Sequence, residues 1–352
     1  MSAMNTYVTL GNTGLNVSPL SLGTMTFGTE WGWGTGKETA QTLFHRYVEA
    51  GGNFIDTADG YTGGTSEEMV GDFVKEKKLR DQLVIATKYT FNNIAGNPNA
   101  GGNGRKNLFR SVEGSLKRLK TDYIDLYWVH AWDTRTPVEE VMHSLNSLVE
   151  QGKIRYIGLS DCPAWYVSRA QTLSTLSGWD KVAAIQMEYN LVERSIEREY
   201  VPMCKELGIG MNIWSPLASG LLSGKHTKNS LQGRLKSLEG SPNPAMARIT
   251  ANAKNWEVVE VLNIVAKEID RPAAQVALNW VATQPGVTST IIGATKLDQL
   301  NSNLGALDFT IPKELRNKLD QASALEMNTP YMFFDHTMNQ MLTGGTKVTT
   351  SF

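Results

Sequence analysis

Four side chains of complementary chemistry occur in the first half of the chain: the Asp56 carboxylate, the Tyr61 phenol, the Lys88 amine and the His130 imidazole. A phenol has a pKa of about 10, too high for easy proton donation at neutral pH, but a neighbouring ammonium lowers that pKa by stabilising the phenolate. A carboxylate would keep the lysine charged and in place, and an imidazole could hydrogen-bond a substrate carbonyl. Together these residue types predict a proton donor for a carbonyl oxygen.

Each of these residues also has an ordinary structural explanation. Asp56 could cap the next helix, Lys88 could pair with a surface acid, and His130 could be a structural histidine at a strand end. The catalytic interpretation is favoured because Asp56, Lys88 and His130 follow successive strand-like segments, which would bring them to one edge of a sheet.

Short β-branched segments alternate with amphipathic stretches of helical period, a pattern typical of repeated βα units. A hairpin is predicted across residues 7–18. The strand candidates after it are Leu20–Leu22, Phe54–Ile55, Leu83–Ala86, Ile124–Val129, Ile154–Leu159, Ala184–Met187, Gly210–Trp214 and Thr290–Ile292. Helices are predicted over residues 66–74, 138–149 and 313–325, and two more within 256–283, broken at Arg271-Pro272.

About eight βα units predict an α/β fold, a (β/α)8 TIM barrel, rather than a doubly wound sheet. The first strand runs into Gly-Thr-Met-Thr-Phe-Gly from Gly23, which lacks the GxGxxG spacing of a Rossmann fold. We expect one barrel domain over residues 1–325 and an extended C-terminal tail over 326–352 that could line the substrate pocket. Long functional loops are predicted at 26–36, 92–104 and 217–239.

Composition excludes several classes of function. The chain has 34 basic and 35 acidic residues among 352, so no large basic surface is expected and a nucleic-acid partner is disfavoured. Two cysteines, Cys162 and Cys204, are too few for a disulfide scaffold. The five histidines form no HxH or HExxH pair, so no metal site is predicted. Without an apolar leader or a run of about 18 apolar residues, a cytoplasmic protein with no membrane segment is expected.

Several motifs resemble the aldo-keto reductase family over about residues 7–325. They are Asn53–Tyr61, Thr87–Lys88, Asp122–His130, Gly158–Asp161, Gln186–Asn190, Trp214–Gly220 and Ile292–Thr295. The resemblance implies a TIM barrel and NAD(P)H-dependent reduction of aldehydes or ketones. It also implies a catalytic tetrad of Asp56, Tyr61, Lys88 and His130, with Tyr61 as the general acid.

The resemblance further implies a nicotinamide cofactor extended across the barrel mouth. Trp214 would stack on the nicotinamide, and Ser160, Asp161 and Gln186 would bind its carboxamide, although many relatives carry Asn at the position of Asp161. The other implied cofactor contacts are Ser215, Leu217, Ser219, Gly220, Lys225, Gly293, Thr295, Lys296, Gln299 and Asn303. Lys296 at a helix start predicts a site for the adenosine 2′-phosphate, and hence NADPH, with NADH less favoured.

The expected partner is a small-molecule carbonyl compound, and an oligomer is possible. Met25, Trp31, Trp33 and Trp132 are candidate walls of the substrate pocket and would suit an aromatic or bulky carbonyl, although aromatic side chains also stack on sugars. An alternative function is a cofactor-binding regulatory subunit. The β-subunits of potassium channels resemble the same family and share its Trp-Ser-Pro-Leu-Ala segment.

Overall fold

Eight parallel strands close into a barrel in the computed structural model, which describes residues 3–228, 230–231, 235–236, 244–334 and 336–348. An antiparallel hairpin, β1 (Val8–Thr9) and β2 (Asn16–Val17), precedes it. The barrel strands are β3 (Leu20–Gly23), β4 (Phe54–Asp56), β5 (Val84–Tyr89), β6 (Ile124–Val129), β7 (Ile154–Ser160), β8 (Val182–Glu188), β9 (Gly210–Trp214) and β10 (Val287–Ile292). Pairing of β10 with β3 closes the barrel, which confirms the predicted fold.

Helices connect the strands and cover the outside of the barrel. They are α1 (Lys37–Glu49), α2 (Thr65–Lys77), α3 (Arg105–Leu119), α4 (Val138–Glu150), α5 (Ala164–Ser177), α6 (Ile196–Leu207), α7 (Pro244–Ala251), α8 (Ala253–Glu268), α9 (Ala273–Ala282), α10 (Leu297–Leu304), α11 (Lys313–Ala322) and α12 (His336–Leu342). The predicted break at Arg271-Pro272 separates α8 from α9. Pro272 directly precedes α9 with a φ of −56°. Proline suits the start of a helix, because its ring fixes φ near the helical value and its missing N–H is not needed there.

The hairpin closes the amino-terminal end of the barrel. Leu10 and Val17 pack on the inward-facing residues Phe54, Leu126 and Trp128 in one buried cluster. Residues of the opposite parity face outwards and pack with the helices, as the two-residue period of a strand requires. The amino-terminal end is therefore filled, and the carboxyl ends of the strands are left to form a site.

Close packing inside the barrel leaves no room for a side chain at Gly158. A methyl group at this position would overlap the indole of Trp128, which is fully buried. We expect Gly158→Ala to lower the free energy of unfolding by about 1–3 kcal/mol, the usual cost of overpacking, measured by urea denaturation. Gly14→Ala is the matched control, because a methyl group there meets open space. Equal stability of the two variants would contradict this packing.

Two of the predicted loops emerge at the carboxyl ends of β3 and β5, and the third follows β9. Residues 229, 232–234 and 237–239 of that third loop lie outside the described residues. The tail packs on α6, where the Tyr331 hydroxyl donates to Glu199 at 2.6 Å and the ring lies beside Arg198. A role of the tail in lining the substrate pocket stays a prediction. No described helix combines the length and apolar character needed to span a membrane.

Candidate active site

A buried ion pair lies at the centre of the barrel mouth. Lys88 is in β5, rather than beyond its end as predicted, because that strand continues to Tyr89. Its ammonium pairs with Asp56 of β4 and also donates to the Thr57 carbonyl at 2.8 Å and to the Tyr61 hydroxyl at 3.3 Å. The structure thus brings the predicted acid, amine and phenol into contact.

Gln186 holds the other oxygen of Asp56. Its amide donates to Asp56 Oδ1 at 2.8 Å across the barrel from β8. This contact was not predicted, because the two residues are far apart in the sequence and Gln186 was assigned to the cofactor carboxamide. Both carboxylate oxygens of Asp56 therefore accept a hydrogen bond. The Gln186 contact holds the carboxylate in place as the partner of Lys88.

The environment of Tyr61 changes its pKa in the direction opposite to the one predicted. Withdrawal from water raises the pKa of the phenol above its usual value, and the Lys88 ammonium offsets only part of that rise. The predicted net lowering of the Tyr61 pKa is therefore wrong, although the contribution of Lys88 has the expected sign. At neutral pH Tyr61 therefore carries its proton, and the Lys88 ammonium beside it would stabilise the phenolate that forms when the proton is given away.

His130 directly follows β6 and lies beside Tyr61, with their ring centroids 5.9 Å apart. Withdrawal from water and the nearby Lys88 ammonium hold the pKa of His130 well below its usual value. The imidazole is therefore neutral at physiological pH. Asp56 and Lys88 are buried, whereas Tyr61 and His130 are partly exposed, so only the second pair is accessible to a substrate.

A second set of buried polar groups supports the loop that carries Tyr61. Glu67 of α2 accepts from the Thr87 hydroxyl at 2.6 Å and pairs with Arg118 of α3 at 2.6 Å. Asp59 donates its backbone N–H to the Lys88 carbonyl, and burial together with Glu67 raises the pKa of its side chain to about 7. This set was not predicted, because its only signal in the sequence was a few acidic residues flanking Tyr61.

Aromatic rings surround the accessible pair. Trp31 lies with its ring centroid 6.3 Å from that of Tyr61, and Trp33 packs on Trp31 at 5.4 Å. Phe91 lies 4.8 Å from His130 and is 56% exposed. Three of the four predicted wall residues, Trp31, Trp33 and Trp132, thus belong to aromatic clusters.

We call Trp31, Trp33, Phe91, Trp132 and Trp165 the aromatic rim, and two of these residues were not predicted. Phe91 stands in the long loop after β5, where a single aromatic residue gave no signal, and Trp165 belongs to α5. Trp165 is 55% exposed and packs edge-on against Trp132 with centroids 5.5 Å apart. Met25, the fourth predicted wall residue, is partly buried after β3. The mouth therefore offers an apolar, largely aromatic surface.

Comparison with known proteins identifies the family. The model of the aldo/keto reductase family matches residues 19–324. The chain is 36% identical to the aryl-alcohol dehydrogenase [NADP(+)] of Phanerodontia chrysosporium, with 91% of this chain and 86% of that protein covered. It is 36% identical to norsolorinic acid reductase B of Aspergillus parasiticus, with 92% and 85% covered. An aryl-alcohol dehydrogenase of Pestalotiopsis microspora is 35% identical, with 91% and 82% covered.

The chain belongs to the aldo/keto reductase family. Members of this family are oxidoreductases that use nicotinamide cofactors. The four residues of the predicted tetrad lie at or near the ends of β4 to β6 in this aldo/keto reductase. The residues predicted to bind the cofactor lie near or after the carboxyl ends of β7 to β10. These strands follow β4 to β6 around the barrel, so both sets are at the same end of it.

The predicted nicotinamide contacts of this aldo/keto reductase differ in accessibility. Ser160 and Gln186 are buried, Trp214 is half-buried, and Asp161 is exposed. The Trp214 indole N–H donates to Asp161 Oδ1 at 3.1 Å, which holds the indole edge in place. Although the residue is exposed, the protein atoms around its carboxylate displace part of the surrounding water and raise the pKa of Asp161 to about 6.

The other predicted cofactor contacts of the aldo/keto reductase lie on two neighbouring loops. Ser215, Leu217, Ser219, Gly220 and Lys225 follow β9, and Gly293, Thr295 and Lys296 follow β10, which pairs with β9. Both lysines are exposed. Gln299 accepts from the Thr295 backbone N–H at 3.0 Å, and Asn303 donates to the Gly293 carbonyl at 3.3 Å, so these two side chains also brace the second loop.

The residues at this mouth fit a dinucleotide. A half-buried indole offers an apolar face to a planar ring, and exposed lysines on two adjacent loops offer positive charge to phosphates. Within the described residues, no group of three or more His, Cys, Asp or Glu side chains is placed to hold a metal ion.

Proposed function

We propose that this protein reduces an aromatic aldehyde or ketone to the alcohol with NADPH, and that Tyr61 is the general acid. The observation that carries this proposal is the Tyr61 hydroxyl, 3.3 Å from the Lys88 ammonium and partly exposed beside neutral His130. No other described arrangement at the mouth combines a proton donor, a cation and an imidazole in this way.

Each tetrad residue has a distinct role in this reaction. Tyr61 gives its proton to the carbonyl oxygen, and Lys88 stabilises the phenolate that forms. Asp56 keeps Lys88 charged, since Asp56 and Tyr61 outweigh the burial that would otherwise lower the pKa of the amine. Neutral His130 donates a hydrogen bond that orients the carbonyl. A bound reduced nicotinamide would supply the hydride.

The remaining mouth residues would hold the cofactor. Trp214 would pack against the nicotinamide ring, and Asp161 and Ser160 would lie beside that ring. The Ser215–Lys225 loop would cover the pyrophosphate. Thr295, Lys296, Gln299 and Asn303 would bind the adenosine end, where Lys296 caps the start of α10 and adds positive charge to the helix N-terminus.

The aromatic rim supports an aromatic substrate. Trp31 lies beside Tyr61, Phe91 lies beside His130, and Trp132 packs on Trp165. These rings would make edge or face contacts with an aryl ring. The name of one relative, aryl-alcohol dehydrogenase, agrees with this chemistry, because an aryl alcohol carries an aromatic ring.

A panel of carbonyl compounds, assayed with NADPH and NADH in parallel, tests the proposed function. We expect turnover of benzaldehyde-type substrates with kcat/KM at least about tenfold above that of straight-chain aldehydes, which corresponds to about 1.4 kcal/mol of aromatic contact energy. Tight dinucleotide binding without turnover of any compound would contradict the proposal and favour the regulatory-subunit alternative.

Lys296 provides a separate test of the cofactor. We expect Lys296→Ala to raise the KM for NADPH by about five- to tenfold and to leave the KM for NADH nearly unchanged, because only NADPH carries the 2′-phosphate. Lys313→Ala is the matched control, since Lys313 is another exposed lysine at the start of a helix, α11. An equal rise for both dinucleotides would contradict the assignment of Lys296.

A further inference from the structure

Asp161 places a carboxylate at the accessible edge of the predicted nicotinamide site. It follows the last residue of β7, and its side chain is exposed at the mouth. Its partner there is the neutral indole N–H of Trp214, at 3.1 Å, rather than a cation. Any planar ring that packs on Trp214 therefore lies next to this carboxylate.

The surrounding charges leave Asp161 uncompensated. The Lys88 cation is already paired with Asp56, and His130 is neutral. Lys88, Asp56 and His130 together carry no net charge, so Asp161 gives this part of the mouth a net charge of about −1. A negative site of this kind stabilises a cationic ligand more than a neutral one of the same shape.

Nicotinamide exists in two forms that differ in this respect, since the oxidised ring is cationic and the reduced ring is neutral. We propose that Asp161 makes this protein bind NADP+ more tightly than NADPH, so that Asp161 sets the redox preference of the cofactor site. This inference rests on the proposed function. It goes beyond it by assigning to Asp161 a role that an asparagine at the same position could not have.

The preference has a chemical consequence. If the carboxylate tightens NADP+ binding tenfold relative to NADPH, the potential of the bound couple falls by about 30 mV, because two electrons are exchanged. The bound reduced cofactor is then a stronger reductant, and the equilibrium on the enzyme shifts from carbonyl towards alcohol.

Dinucleotide titrations of the Asp161→Asn variant test the proposal. The dissociation constants of NADP+ and NADPH are measured separately by isothermal titration calorimetry, without substrate. We expect Asp161→Asn to weaken NADP+ binding on the order of tenfold and to change NADPH binding by less than about twofold. The fold should be kept, because Asp161 has a φ of 44° and asparagine tolerates this left-handed region as well as aspartate does.

The matched control is Asp180→Asn, which removes an exposed carboxylate just before β8, at the opposite end of the barrel. It lowers the net negative charge equally, so a similar change in both variants would mean that total charge and not Asp161 is responsible. That result would overturn the inference.

A pH titration of the unmodified protein gives a second readout. The ionisable groups that interact with the Asp161 carboxylate are Lys88, Tyr61, Cys162 and Tyr200. The pKa of each is raised above its usual value, which leaves Asp161, with a pKa of about 6, to titrate in the weakly acidic range.

The ratio of the NADP+ and NADPH affinities should fall as the pH is lowered from 8 to 5.5, because protonation removes the negative charge. Titration of the 2′-phosphate affects both dinucleotides and cancels in the ratio. Asp59, with a pKa of about 7, titrates in the same pH range. The pH dependence of the affinity ratio therefore belongs to Asp161 only if Asp161→Asn removes it.

The outcomes separate this inference from the proposed function. If the unmodified protein binds both dinucleotides and Asp161→Asn weakens both equally, Asp161 is only a carboxamide ligand and the inference alone fails. If Asp161→Asn leaves both dissociation constants unchanged, Asp161 contributes to the binding of neither dinucleotide, and again only the inference fails. If the unmodified protein binds neither dinucleotide, the proposed function fails and the inference fails with it.

Discussion

Replacing Tyr61 by phenylalanine is expected to lower kcat for reduction of an aromatic aldehyde by about 10²- to 10⁴-fold, the range that general acid catalysis contributes. The variant removes the hydroxyl that lies 3.3 Å from the Lys88 ammonium and keeps the ring that packs against Trp31 and His130. The shape of the site is therefore preserved while the proton donor is lost. Oxidation of NADPH, followed by its absorbance, gives the rate.

Tyr7→Phe is the matched control for this variant. The Tyr7 hydroxyl donates to the Gly51 carbonyl at 2.9 Å, near the hairpin at the closed end of the barrel. Its loss should leave kcat unchanged, and neither variant should alter NADPH affinity. A Tyr61→Phe variant with the rate of the unmodified enzyme would remove Tyr61 from the mechanism.

The pH dependence of reduction should reflect the protonated phenol. Because the pKa of Tyr61 is raised above its usual value, the hydroxyl keeps its proton through the neutral range. A general acid works only in its protonated form, so the Tyr61-dependent rate should be lost at alkaline pH, as the phenol ionises, and not at neutral pH.

Replacing Lys88 by methionine should have the second large effect, on stability as well as activity. The ammonium is fully buried and pairs with Asp56, which is also buried. Its removal leaves the carboxylate without a counter-charge, which typically lowers the free energy of unfolding by about 3–5 kcal/mol. Carbonyl reduction should also fall by about 10²-fold or more, because the Tyr61 phenolate loses its stabilising cation.

The double variant Asp56→Asn with Lys88→Met distinguishes the two effects. It removes both charges. In the unmodified protein the Gln186 amide donates to Asp56 at 2.8 Å, and the asparagine oxygen can still accept this hydrogen bond. We expect most of the lost stability to return in chemical denaturation while activity stays low. Recovery of activity together with stability would mean that Lys88 only supports the fold.

Much of the fold followed from local patterns. Eight short apolar segments separated by helical stretches predicted the barrel, since few topologies bury such an alternation. The predicted hairpin, the break at Arg271-Pro272 and the strand at Phe54–Ile55 all depend on residues that are close in the sequence. Strand lengths were less accurate: β5 extends to Tyr89, because pairing with β6 continues to Val129 and sequence alone does not show where pairing stops.

The order of Asp56, Lys88 and His130 along the chain also determined that they would meet, because parallel barrel strands end at one face. Only the tertiary structure decided the hydrogen bonds and the protonation states of the site residues. The contact of Gln186 with Asp56, the neutral state of His130 and the raised pKa of Tyr61 come from residues distant in sequence and from water exclusion. Residue types and spacing therefore specified the reacting groups, while burial and cross-barrel contacts set their charge, because the energy of a charge depends on everything around it.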